Sequence, residues 1–324
     1  MTGIARTLLL TLLAALMLAA PAMADEAGPA LDTEDEVRFV SVGWTGVTIK
    51  TEIGVAIMNC LGYESSNTMV SVPIAYEAMA MDEADVFLGN WMPSMASIAN
   101  PFFEEGTVEN YVANMPGAKY TLAVPTYVAE GGLTHFKDIA KYADKLDNKI
   151  YGIEEGNDGN LIIQEMIDKD MFDLADFELV PSSEAGMLSQ VQSYARNEKW
   201  IVFLGWAPHS MNERIDMTYL KGSTSETFGG NDGTATVYTN VRDGFLDDNP
   251  NLAKFFKQFT FPIPMMNQIM TTLHEDSSLK PRQAALRWLE KNPDQYAEWL
   301  DGVTTKDGKP ALPVFKDCLP TLKK

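Results

Sequence analysis

The hydrophobic pattern of the chain switches repeatedly between a period of two and a period near 3.6. Val37-Arg38-Phe39-Val40-Ser41-Val42 is a β-rich run that stops at Gly43. Thr48 to Leu61 then places Ile49, Ile53, Val55, Ala56, Met58 and Cys60 at helical spacing and stops at Gly62. Met69 to Ile74 reads as a strand, Ala75 to Met81 as a short helix, and Asp85 to Leu88 as a strand. A second cycle opens with a strand at Tyr120 to Val124 and continues with a helix over Phe136 to Leu146. Strands at Lys149–Ile153, Phe177–Val180 and Trp200–Leu204 alternate with helices at Asn160–Asp170 and Glu184–Asn197. This order predicts an α/β fold of two units, each with its own open, mostly parallel sheet covered by helices. The last third (Asn251–Phe259, Met266–His274, Pro281–Gly302) reads as mainly helical, with Trp288, Leu289 and Trp299 at core spacing.

The chain begins with a different pattern. Arg6 precedes an apolar run from Leu8 to Ala20, Pro21 breaks it, and Ala22-Met23-Ala24 is a small-x-small cleavage signature. Residues 1–24 therefore read as an export signal, too short to span a bilayer comfortably. No Cys follows the cleavage point to carry a lipid, so the mature chain is expected to begin at Asp25 and to be periplasmic, with no direct membrane insertion. Residues 25–36 are polar and acidic and read as a disordered leader.

Removing Arg6 with the signal takes the net charge from −20 to −21. That balance excludes nucleic acid, whose phosphates need Lys and Arg, and favours a soluble monomer. Cys60 and Cys318 are the only cysteines, which in an oxidising compartment predicts a disulfide rather than a metal site. The three histidines are widely scattered, and no metal or cofactor is expected.

Three runs end alike: Val42-Gly43-Trp44, Leu88-Gly89-Asn90-Trp91 and Leu204-Gly205-Trp206. Each puts an indole at the carboxyl end of a predicted strand, where open α/β sheets bind ligands, with the Gly expected to allow a sharp turn. One such Trp is ordinary packing. Three in matched positions suit a methylated ammonium group, which offers methyls and diffuse charge to ring faces; a sugar, which also uses indole faces but demands more hydrogen-bonding side chains, is the alternative.

Trp44, Gly89-Asn90-Trp91-Met92-Pro93, Gly117-Ala118-Lys119-Tyr120-Thr121, Gly156-Asn157-Asp158-Gly159-Asn160 and Gly205-Trp206 with Pro208-His209 follow in order along the mature chain. Together they resemble the choline- and glycine betaine-type substrate-binding proteins of ABC transporters. The resemblance implies a type II periplasmic binding protein: lobe 1 from residues 37–118 and 231–324, lobe 2 from residues 119–230, and a hinge between them. It implies an aromatic box of Trp44, Trp91, Tyr120 and Trp206, with Asn157 bonding the ligand's polar end. An ABC permease would be the partner. Choline-binding members carry an Asp two residues after the first cage Trp, where this chain has Gly46. The polar end thus stays open between trimethylamine N-oxide, glycine betaine and choline. Glu130 reads either as a replacement acid or as a solvated loop residue, and Asp158 either as a cleft acid or as a helix cap.

Two rival readings remain. A secreted hydrolase lacks support from any Gly-x-Ser-x-Gly, phosphate-loop or His-Glu-x-x-His pattern. A carnitine or polyamine receptor of the same fold is the other. An amino-acid receptor would need an Arg for the carboxylate, and Arg38, Arg196 and Arg214 follow no strand end.

Overall fold

The structure, a computed structural model, describes residues 32–323. The export signal at 1–24 and the first part of the acidic leader lie outside the described residues. Among the described residues nine strands form the framework: β1 (Glu36–Ser41), β2 (Glu64–Met69), β3 (Val86–Met92), β4 (Val108–Pro125), β5 (Lys149–Tyr151), β6 (Glu178–Val180), β7 (Val202–Ala207), β8 (Met217–Tyr219) and β9 (Thr234–Arg242). They hydrogen-bond in the order β2-β1-β3-β9-β4-β7-β5-β6, with β8 beside β4. The expectation of two separate, mostly parallel sheets is corrected on both counts. Pairs β1–β2, β1–β3, β5–β6 and β5–β7 are parallel, but β9 runs antiparallel to β3 and β4, and β4 antiparallel to β7 and β8.

The join is β4. Its first part pairs with β9 from Val108↔Arg242 to Lys119↔Thr234, and its last part pairs with β7 from Lys119↔Ala207 to Ala123↔Phe203. The partner changes at Lys119. Register shifts at Ala113/Met115 and Met115/Ala118 bend this strand where Pro116 withholds an N–H from the ladder.

Several element predictions also shift. The strand expected at Met69–Ile74 is instead β2 followed by a helix over Val72–Ala80, with Pro73 in its first turn. β2 is an edge strand whose Glu-Ser-Ser-Asn-Thr-Met sequence stays largely exposed, so it has no apolar face to read. The helix expected over Phe136–Leu146 breaks into two short 3-10 turns and a four-residue helix. Pro281–Lys291 and Pro293–Trp299 are separate helices, because Pro293 cannot donate into the preceding turn. Trp299 is fully buried, and its indole N–H is spent on the Thr260 carbonyl at 2.9 Å.

The described end of the acidic leader is pinned, not free. Asp32 accepts from the Tyr63 hydroxyl (2.5 Å) and from Asn251 N (2.8 Å), and Glu34 pairs with Arg242 (2.9 Å). Its carboxylates find donors on the folded body, which composition alone does not reveal. Cys60, in the last turn of the helix Thr45–Leu61, is bonded to Cys318 at the end of the helix Ala311–Cys318. No helix of the described residues is long and apolar enough to cross a membrane.

Candidate functional site

Four elements converge at the carboxyl ends of β1, β3, β5 and β7. Trp44 immediately precedes the helix Thr45–Leu61, with its carbonyl accepting from Thr48 N at 3.0 Å. Trp91 and Trp206 are the next-to-last residues of β3 and β7, and each strand is followed by a cis-proline, Pro93 and Pro208. Tyr120 lies on β4 directly opposite Trp206. The Tyr120 ring stands 5.9 Å from Trp91 and 6.2 Å from Trp206, centroid to centroid, tilted 57° and 78°. All four rings line one cavity, which encloses about 510 Å³ of space between atoms, counting the part open to solvent.

The glycines before the indoles act differently from the sequence expectation. Gly89 and Gly205 sit inside their strands, without a left-handed backbone. At Gly205 the constraint is space: a Cβ would lie 2.8 Å from the Ala123 Cβ on β4. The absence of a side chain lets β7 lie close to β4 and brings Trp206 against Tyr120. A similar approach occurs at Gly159, where a Cβ would fall 2.0 Å from the Tyr120 hydroxyl.

Of the six residues singled out by sequence, Trp44, Trp91, Tyr120 and Trp206 share the cavity. Glu130 does not join them. It ends the five-residue helix Thr126–Glu130, which buries only Val128, and its carboxylate is exposed. Asn157 is buried beside the cavity, but its side chain is spent locally. Its Oδ1 accepts from Asn160 N (3.0 Å) as the cap of the helix Asp158–Asp168, and its Nδ2 donates to the Glu154 carbonyl. The roles weighed for Asp158 thus fall to two residues: Asn157 caps, and Asp158 faces the cavity.

The charged groups around the rings carry most of the electrostatics. Glu154 accepts the Trp44 indole N–H at 2.6 Å, which fixes that ring. Burial pushes the Glu154 carboxyl above its usual range, and the Trp44 hydrogen bond opposes this. Asp158 is 1% exposed, and burial pushes its carboxyl up to about 6. Lys50, also on the cavity wall, donates to the Leu88 carbonyl (2.5 Å) and to Asn114 Oδ1 (3.0 Å), and burial pulls its ammonium down to about 7. Sequence reasoning passed over Lys50, although a Lys in line with Ile53, Gly54 and Ile57 on the buried face of a helix was a readable signal. Behind the rings, His209 lies 5.2 Å from Trp206, centroid to centroid, and its Nε2 is 3.1 Å from Glu184 Oε1.

Comparison with known proteins identifies the family. Residues 35–291 match the model of the substrate-binding domain of the ABC-type glycine betaine transport system. A solved ABC-transporter choline-binding protein in complex with choline is 46% identical, with a TM-score of 0.85 over 88% of this chain and 98% of that one. An uncharacterized protein, ORF1, of Chromohalobacter salexigens is 55% identical over 124 residues, 38% of this chain and 80% of that one. The glycine betaine/carnitine transport binding protein GbuC of Listeria monocytogenes is 30% identical over 165 residues, 51% of this chain and about half (53%) of that one. The family match spans well over half of the sequence, and the chain belongs to the family of substrate-binding domains of ABC-type glycine betaine transport systems.

Proposed function

We propose that the cavity of Trp44, Trp91, Tyr120 and Trp206 takes the methylated ammonium head of a small osmolyte, of the class of choline, glycine betaine or trimethylamine N-oxide. The observation that carries this reading is the meeting of four aromatic rings at strand ends, with only one cation, Lys50, and that one hydrogen-bonded to protein acceptors. Ring faces attract a quaternary cation by about 0.5–2 kcal/mol each when desolvated, so four supply about 2–8 kcal/mol, the upper end of which corresponds to a micromolar affinity without a salt bridge. The likeness to a choline-binding protein crystallised with choline supports the same class.

The mechanism is capture by closure. Residues 37–118 with 231–324 form one lobe and residues 119–230 the other, joined where β4 changes partner at Lys119 and where β9 begins at Thr234. Trp44 and Trp91 belong to the first lobe, Tyr120 and Trp206 to the second. A ligand touching both shifts the population toward the closed form, which an ABC permease recognises in the periplasm. The mature protein acts as a monomer.

Titrating intrinsic tryptophan fluorescence with choline, glycine betaine, trimethylamine N-oxide and carnitine tests the reading. At least one is expected to change the emission saturably, and Trp91→Ala to weaken it by about thirtyfold, the equivalent of about 2 kcal/mol. No response to any methylated ammonium compound would sink the cage. Unchanged binding by Trp91→Ala would remove that ring from it.

A further inference from the structure

The cavity holds two polar groups that the protein leaves without partners. Neither carboxyl oxygen of Asp158 meets a donor in good hydrogen-bond geometry, nor does the Tyr120 hydroxyl, although both residues are at least nine-tenths buried; Ser94 and the Gly159 N–H lie near enough to act on them without closing a well-formed bond. They are neighbours, since the hydroxyl rests against Gly159. The nearby Ser94 hydroxyl donates elsewhere, to the Trp91 carbonyl at 3.0 Å. Buried polar atoms are nearly always paired, and a carboxyl left alone beside an apolar box works against folding. A ligand entering the box would supply the missing partner.

We propose that Asp158 and the Tyr120 hydroxyl form the polar subsite that selects the ligand's second functional group. They take a group able to share a proton with a carboxyl, namely a hydroxyl or an N-oxide oxygen, and reject a carboxylate. The inference rests on the aromatic-cage reading above. A helix start is the natural seat for a ligand carboxylate, but here the start of Asp158–Asp168 already holds the Asp158 side chain, with Asn157 as its cap. Glu154 adds a second acid close by, acting on both Asp158 and Tyr120. The one cation on the wall, Lys50, is held by Leu88 and Asn114. A zwitterion with its own carboxylate would meet two acids and no free base.

The two accepted chemistries differ in their protons. The groups acting on the Asp158 carboxyl are Glu154, Ser94 and the Gly159 N–H. Asp158 in turn acts on Tyr120 and Tyr76, and Lys50 shares the cavity. A hydroxyl ligand donates to the carboxylate, and its cation favours that ionised form. Its binding releases a proton in mild acid and tightens from pH 5 to pH 7. An N-oxide oxygen accepts from the protonated carboxyl, so its binding takes up a proton and weakens over the same range.

The test is calorimetry on the mature chain and on Asp158→Ala and Asp158→Asn, in two buffers of different ionisation enthalpy, from pH 5 to pH 7. The titrants are tetramethylammonium, choline, trimethylamine N-oxide and glycine betaine. Wild type should bind choline or the N-oxide at least tenfold more tightly than glycine betaine. Asp158→Ala should lose at least tenfold on the preferred ligand and gain on glycine betaine, and Asp158→Asn should abolish proton exchange. Release on binding identifies the hydroxyl ligand, and uptake the N-oxide. Retained tetramethylammonium binding certifies that the variants are folded. Wild-type preference for glycine betaine, unchanged affinity in Asp158→Ala, or binding without proton exchange would each overturn the subsite. Failure of wild type to bind any titrant, tetramethylammonium included, would instead overturn the cage.

Discussion

Replacing Glu184 by Gln should weaken ligand binding about five- to thirtyfold while the fold survives. Glu184 opens the helix Glu184–Arg196 and is 7% exposed. Its carboxylate accepts from the Thr45 backbone N–H at 3.2 Å and from the Thr45 hydroxyl, and it faces His209 Nε2 at 3.1 Å. Because His209 Nδ1 accepts from Met211 N at 3.1 Å, Nε2 carries the proton and donates. Thr45 follows Trp44, which lines the cavity, so these bonds hold one proposed lobe to the other beside the proposed cage. Burial alone would push the Glu184 carboxyl up, but the donors from His209 and Thr45 outweigh it and hold it below its usual range. The ionised form is therefore the one that the closed arrangement favours. Hydrogen bonds to a charged group contribute about 1.5–3 kcal/mol each and neutral ones about 0.5–1.5 kcal/mol. Three weakened bonds, offset by the relief of a buried charge, leave a net loss of about 1–2 kcal/mol, which gives the stated range. The sign with pH follows from the depressed value: the contribution is full above the ordinary Glu range and lost as pH falls through the closed-state pKa. The difference between wild type and Glu184→Gln should thus shrink in acid, and taking that difference cancels the titration of Asp158. Calorimetric affinities, with urea unfolding of the ligand-free proteins as control, decide the matter. An affinity within twofold of wild type would refute the reasoning. So would a loss of ligand-free stability as large as the loss of binding, since the bond would then serve the fold rather than closure.

Two further predictions concern stability. Cys60 and Cys318 are 258 residues apart in sequence, so removing both by Ala substitution frees a loop spanning most of the chain. The chain-entropy limit is about 5 kcal/mol, or about 8 °C in Tm for a protein of roughly 300 residues, and scanning calorimetry should show a fall approaching that limit. The buried Asp158 carboxyl, raised from 3.8 to about 6, should make the ligand-free wild type lose stability as pH climbs between those values. Relative to Asp158→Asn the gap should open by about 2.4 kcal/mol from pH 4 to pH 7 in urea titrations, and a constant gap would contradict the assignment.

What the sequence disclosed follows from which signals are local. Strands β1, β5, β6 and β7 and the helices that follow β1, β5 and β6 announce themselves, because their apolar residues recur with a plain period. β9 carried a readable alternation in Thr234-Ala235-Thr236-Val237, yet it lay beyond a turn-like Asn231-Asp232-Gly233 and among helices. The first half of β4 was obscured by Asn110, Asn114, Pro116 and Gly117, the residues that accompany its register shifts. Since β4 and β9 are the strands that join the two halves, the parts hardest to read were those that make one sheet of two.

The site divides in the same way. Aromatic residues at strand ends are visible as repeated short patterns, because a ring must sit where the strand stops to face the crevice. Asn157 and Asp158 were both marked by the Gly-Asn-Asp-Gly run, but sequence does not say which caps and which faces the cavity. That is decided by the start of one helix, where the Asn157 side chain turns back to Asn160 and leaves the Asp158 carboxyl unspent. The partners of Glu154 and Glu184 are less visible still. Each carboxylate meets its partner across more than a hundred residues of chain, Trp44 in one case and Thr45 in the other. Yet they fix the two consecutive residues at the start of the helix Thr45–Leu61, one of which, Trp44, lines the cavity. Moving that helix start away from residues 119–230 would break both carboxylate contacts and withdraw Trp44 from Tyr120 and Trp206 together. On the proposed closure, ligand contact and closure are a single equilibrium, and a substitution at Glu184, which is not itself a lining residue of the cavity, is expected to act on affinity through it.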